Sequence, residues 1–369
     1  MNPTPTVAPP RDPAGPITPA PATRAVLPGR TLRNRWFSVR IRPRALSVCS
    51  LLAAAVAVVG AWSISVGDFP IPMTDVIATL FGQGSEDADF IVRTLRLPRV
   101  LNGILVGAAF GMAGAIFQSL ARNPLGSPDI IGFDSGAALG AVIVIVSFGG
   151  TSAQVAVGAV GGGLVTALAV FFFAWQRGVK AHRLVLVGIG IGFAAASVVD
   201  YLITRAEIND VQRAAVWLTG SLNGSTWSDV RTAAIALAVL GPIAVLCQRW
   251  LDRLELGDDA AAGLGVPVTR AKLAIVVVGV GLSSLAVAAA GPVGFVAFVA
   301  GPIARRLVRS PGACIVPAAF VGALVVVAAD LAARRVLAPT ELPVGIMTSI
   351  IGAPYLLWLL TRQIRTGGL

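Results

Sequence analysis

The sequence predicts an all-α polytopic membrane protein of about ten transmembrane helices, with both termini in the cytoplasm. Three observations carry this. Apolar residues make up 56% of the chain and charged residues only 13%, against about 25% charged in an ordinary globular domain. Apolar stretches near the roughly 20 residues a spanning helix needs recur along almost the whole length. Lys and Arg are shared unevenly between alternate connections.

In chain order, residues 1–43 form the first unit. Residues 1–45 hold eight Arg and one Asp, and ten of the 24 prolines precede residue 44. Such a Pro/Arg-rich segment cannot bury a core, and a disordered cytoplasmic tail is expected. Its basic end, residues 30–44, suits anionic lipid headgroups. The net charge of +11 raises nucleic acid as a partner, but no recognition motif accompanies the charge. The second unit, 44–369, then carries ten apolar stretches, near 45–66, 98–119, 128–149, 152–175, 183–204, 229–248, 271–290, 292–307, 313–333 and 343–361. The eighth is short and the third and fourth nearly fuse, so nine and eleven are the neighbouring counts. Helices must fill these spans because lipid satisfies no backbone polar group. The first is long, starts late and lacks a small-residue cleavage pattern, unlike a signal peptide.

With ten spans and the amino terminus inside, 21 of the 29 Lys and Arg residues are cytoplasmic and eight are outside. The reversed topology inverts this bias, so N-in, C-in is preferred. Cys49, Cys247 and Cys314 are too few and too separated for a metal site or a disulfide framework, and no metal is expected. Glycines inside the spans, among them Gly111, Gly114, Gly161, Gly162, Gly163, Gly188, Gly190 and Gly192, let helix backbones approach closely.

The one substantial cytoplasmic connection, 249–272, reads RWLDRLELGDDAAAGLGVPVTRAK. A short helical piece ends at Gly257. Asp258 and Asp259 open a second, as acids suit a helix N-terminus, and Gly265 and Pro267 close it. Two short helices bent around glycine, exposing Leu256, Ala260, Ala261 and Leu264, make an apolar knob fit for a groove on a cytoplasmic partner.

Several functions are disfavoured. An ATP-hydrolysing chain needs a phosphate loop ending in Gly-Lys-Ser/Thr, and Lys180 and Lys272, the only lysines, lack that context. A serine protease needs a base beside its nucleophile, yet the sole histidine, His182, lies in a loop, and Asp134 has only the remote Asp200 as a partner for aspartyl chemistry. An ion-coupled secondary carrier keeps ionisable groups in the bilayer. Asp134, Asp200 and Asp330 are the candidates, all near span ends.

Five ordered segments resemble the FecCD-type permeases of bacterial ABC importers, which take up ferric siderophores, haem and vitamin B12. They are RLPR at 96–99, ARNPLGSPDIIG at 121–132, WLTGSLNGSTW at 217–227, ELGDDAAAGLGV at 255–266 and ELPVGIMTSIIGAPYLLWLL at 341–360. The chain departs from the family pattern at Gly301-Pro302-Ile303-Ala304-Arg305, where the proline is shifted and a polar residue is lost.

The resemblance implies the type II importer permease fold and a non-catalytic transport subunit of the bacterial cytoplasmic membrane. Its implied partners are a second permease copy or a close relative, two cytoplasmic ATPases carrying ATP and Mg, and an extracytoplasmic binding protein or lipoprotein. A ferric siderophore is the expected cargo, with haem or a corrinoid as alternatives. Coupling helices at about 251–266 would dock on the ATPases through Leu256, Gly257, Asp258, Asp259, Ala260, Ala261, Gly263, Leu264 and Gly265. Arg96, Arg99 and Arg334, with Arg335 as a neighbouring possibility, would meet the binding protein. Gly188, Gly192 and Ala196 in the fifth span, with Gly345, Thr348 and Ser349 in the tenth, would border the pathway. For the arginines, residue type alone favours interfacial snorkelling.

Overall fold

The structure is a computed structural model that describes residues 30–33, 38–41, 43–67, 69–174 and 181–365. The chain divides into two units, Met1–Pro43 and Arg44–Leu369. Most of the tail expected to be disordered, and Lys180, lie outside the described residues. Within the first unit, β1 (Arg30–Arg33) pairs antiparallel with β2 (Ser38–Ile41), Arg30 opposite Ile41 and Arg33 opposite Ser38.

The second unit is helical. In order it comprises α1 (Pro43–Ser65), α2 (Met73–Leu80), α3 (Glu86–Asp89), α4 (Leu97–Ala121), α5 (Phe133–Phe148), α6 (Ser152–Ala174), α7 (Ala181–Arg205) and α8 (Ile208–Leu218). There follow α9 (Trp227–Leu254), α10 (Asp258–Gly263), α11 (Val268–Ala290), α12 (Val296–Val308), α13 (Ile315–Arg335) and α14 (Val344–Arg365). Each of the ten apolar stretches coincides with one helix. Among the described residues, seven helices are long and apolar enough to cross a membrane by length and composition. The helices α5, α12 and α14 are shorter or less uniformly apolar. The short helices α2 and α8, outside the apolar stretches, are amphipathic and escape a count based on long apolar windows.

Residues Glu86–Ala121 form one continuous helical rod. Between α3 and α4 it is wound as a π-helix, Phe90–Arg96, and the Leu97 N–H donates to Val92 O, five residues back. Pro98 has no N–H to return to the preceding turn, and the wider winding falls next to it. The rod is the centre of the bundle: 78% of its most apolar window is buried, against 17% for α1. The helix α4 packs on α13, α11, α12 and α9.

Glycine makes these contacts possible. A Cβ added at Gly114 would lie 1.8 Å from Ala297 O on α12, and one at Gly111 2.2 Å from Ala318 O on α13. Backbone-to-backbone approach of this kind replaces the hydrophobic drive that lipid does not supply. Large apolar side chains face outward instead, including Trp62, Phe172, Phe173, Leu186 and Phe193, the inverse of a water-soluble core.

The chain after α4 folds back into the bundle. Gly132, at φ +84, caps α5, and a Cβ there would lie 2.6 Å from Gly188 O. Gly188 is seven residues into α7, about 10 Å along its axis. Residues 121–132 therefore re-enter the bundle before α5 begins, which is why α5 has only 16 residues.

Candidate functional site

At the outer end, three arginines are held inside the subunit. Arg99 donates through Nε and Nη2 to Asp330 and through Nη1 to Glu341, at 2.9–3.2 Å. Arg334 lies with Nε 3.3 Å from Asp330 Oδ2, and its Nη2 donates to the carbonyl and hydroxyl of Ser63. Arg96 donates to Ile64 O at 2.7 Å and Phe69 O at 2.6 Å. The last carbonyls of an α-helix have no partner within it. Here Arg96, at the end of the π-wound segment, and Arg334, on α13, supply donors to the carbonyl end of α1, where cations also match the helix dipole. Asp330, a candidate coupling carboxylate from sequence, is thereby neutralised by two guanidiniums, while Arg335 is exposed.

The expected pathway residues are divided by the structure. Gly188 packs against Ile131 and Gly192 against Gly132, and Gly345 leaves no room for a Cβ beside Thr219 O. These three are close-packing positions. Thr348 is buried, and both its hydroxyl and that of Ser349 donate to Gly345 O. Ala196 is exposed on α7. Ser349 borders a cavity of about 500 Å³ together with Thr219, Pro292, Gly345, Ile346 and Ile350.

A larger cavity, about 920 Å³, opens near the outer end, where Arg213, Trp217, Asn223, Thr226 and Asp229 are among its lining residues. The segment 217–227 contributes much of this wall. The cluster Ser221, Asn223, Ser225 and Thr226, polar in an otherwise apolar chain, is the sequence signal that marks it.

At the cytoplasmic end, the structure corrects the knob in two respects. The piece before Gly257 is the end of the 28-residue α9, so α10 is the one short helix. Ala261 is fully buried, not exposed, whereas Leu256 and Leu264 are 66% and 56% exposed. Asp259, Ala260, Gly263 and Gly265 are exposed as well. Gly257 and Gly265 take φ +114 and +79, left-handed values that suit glycine.

Asp134 accepts from Ser283, Asp129 accepts from the Phe295 N–H at 3.2 Å, and Asp200 is exposed on α7. All three cysteines are free. No group of three metal-ligating side chains occurs among the described residues.

The bundle matches a solved metal-chelate type ABC transporter in an inward-facing conformation, with a TM-score of 0.78 and 24% identity over 86% of this chain and 99% of that one. The sequence profile of the FecCD transport family matches residues 52–362. The chain belongs to the FecCD transport family. This FecCD protein is 40% identical to the ferric enterobactin transport system permease protein of Escherichia coli over 327 residues, 89% of this chain and 99% of the relative. It is 35% identical to an Fe(3+)-citrate import system permease protein of Bacillus subtilis over 330 residues, 89% and 98% of the two chains. The family match takes in the outer arginine network, α7, the α10 knob and nearly all of α14. The chain is an integral membrane protein.

Proposed function

We propose that this FecCD protein is the permease subunit of an ABC importer that carries a ferric siderophore across the bacterial cytoplasmic membrane. The 40% identity to the ferric enterobactin permease over 89% of this chain and 99% of that one carries the reading. Ten helices cross the membrane, the subunit pairs with a second permease, and an extracytoplasmic binding protein delivers the cargo. Two cytoplasmic ATPases hydrolyse ATP with Mg, and this chain makes and breaks no covalent bond.

The knob is the ATPase-docking element. Two large apolar side chains exposed to the cytoplasm at either end of the short helix α10, Leu256 before Gly257 and Leu264 at its C-terminal cap, suit a partner's groove and are costly to leave solvated. The outer end receives the binding protein, with exposed Arg335 the cation best placed to steer docking. Arg96, Arg99 and Arg334 shape that surface from beneath it. The small-residue faces of α7 and α14, around Ala196 and Ser349, border the route between paired permeases, while Gly188, Gly192, Gly345 and Thr348 set the spacing of those helices.

Uptake of radioactive iron in a deletion strain tests the reading, with individual ferric siderophores as sole iron sources. Loss of one siderophore class, restored by the intact gene, is the expected result. Normal uptake of every iron complex would redirect the assignment to haem or a corrinoid.

A further inference from the structure

The α10 knob hangs between Gly257 and Gly265, and apart from each glycine and its chain neighbours no atom lies within 4 Å of where a side chain would begin at either. A six-residue helix between two such glycines has soft joints, and a push on it would be absorbed by bending. The structure bridges these joints. Asp258 Oδ1 accepts from Arg122 Nη2 at 2.8 Å, and Asp258 Oδ2 accepts from Lys272 Nζ at 2.6 Å. Arg122 stands immediately after α4, in a left-handed conformation at φ +51, and Lys272 lies in the second turn of α11. The Lys272 side chain is only 5% exposed, against 42% for Asp258. A buried ammonium is costly unless it is paired and hydrogen-bonded, and Asp258 supplies a charged partner at 2.6 Å. Beside this bridge, Ser119 on α4 donates to Glu255 at the end of α9.

We propose that Arg122 and Lys272 are positioning residues that clamp α10, through Asp258, onto α4 and α11. This deepens the permease reading and rests on it: thrust from an ATPase on the knob then reaches the membrane helices instead of dissipating at the glycines. The rod containing α4 runs on to the outer surface, where Arg99 binds Asp330 and Glu341. One rigid element thus connects the knob to the outer network.

The test uses the complete importer in vesicles, with ATP hydrolysis and ferric siderophore transport measured together. Lys272→Met and Arg122→Gln are each expected to lower cargo moved per ATP by roughly five-fold or more, the lower end of typical coupling between sites. Lys272→Arg retains most of the ratio. The double variant Lys272→Met/Asp258→Asn is no worse than Asp258→Asn alone, because the residues act as one unit. Arg122→Gln, at the protein surface, keeps the test available if Lys272→Met does not accumulate. An unchanged ratio in these variants, or additive losses in the double variant, overturns the clamp. Failure of the siderophore reading looks different: the wild type hydrolyses ATP without moving that cargo. The clamp is then read from permease-dependent stimulation of hydrolysis, which the same variants lower.

Discussion

Arg99 and Asp330, 231 positions apart, form a bidentate ion pair in the outer part of the bundle, with side chains 11% and 4% exposed. Glu341 and Arg334 complete a network of two cations and two anions. The pair joins the centre of the fold, α4, to the end of α13 just before the chain enters α14.

Breaking this pair from one side leaves a buried charge with only one of its two partners. Arg99→Gln or Asp330→Asn is expected to destabilise the detergent-solubilised protein by about 1–3 kcal/mol, less than for a buried charge left with no partner. The double variant should lose clearly less than the sum of the two. Thermal unfolding followed by fluorescence gives both numbers, and strictly additive losses would show that the two side chains do not act together.

Neighbouring arginines should separate by function. Arg335→Glu is expected to weaken binding-protein association in a salt-dependent way with little change in stability, since exposed charges act mainly on encounter. Arg334→Gln should instead lower the unfolding temperature, because it uncaps α1 and deprives Asp330 of a partner. Surface plasmon resonance at two ionic strengths, alongside melting curves, distinguishes them. An Arg335→Glu variant that binds normally at low salt would remove this residue from the interface.

For the knob, Leu256→Asp together with Leu264→Asp should abolish co-purification of the ATPase while the permease itself stays folded. Ala261→Asp should destabilise the permease, since the position is fully buried and an unpaired charge there is costly. Retention of the ATPase by the double Leu variant would place the docking surface elsewhere.

Glycines can be sorted by the space around them. Gly114→Val should prevent accumulation of folded protein, because its Cβ would overlap the α12 backbone. Gly161→Ala meets no neighbour and should change stability by no more than about 0.5 kcal/mol. Membrane expression and melting temperature provide the check. Equal effects at the two positions would mean that the α4–α12 approach is not what Gly114 serves.

The gross architecture was legible because bilayer burial is a local constraint. Runs of apolar residues mark helices, so α1, α4, α6, α7, α9, α11 and α13 could be placed from composition along the chain. The knob was also visible, through two acids between glycines. Less legible was the direction each side chain takes. Ala261 and Ala260 are adjacent and identical, yet one is buried and the other exposed, a difference set by the face of α10 that meets the bundle. Arg334 and Arg335 divide in the same way on α13, one turned toward α1 and Asp330, the other toward solvent.

By itself, then, the sequence determined that this is a helical membrane protein, where its apolar helices lie along the chain, and the order of the motifs that mark its family. Each of those properties depends on the solubility of a segment of the chain in lipid or on local residue patterns. Only the tertiary structure decided that Gly188, Gly192 and Gly345 are contact points, that Arg99 and Arg334 brace the outer end, and that Asp258 ties the knob to Arg122 and Lys272. Those outcomes depend on distances between residues far apart in the chain, which helix packing sets and no local run of amino acids records.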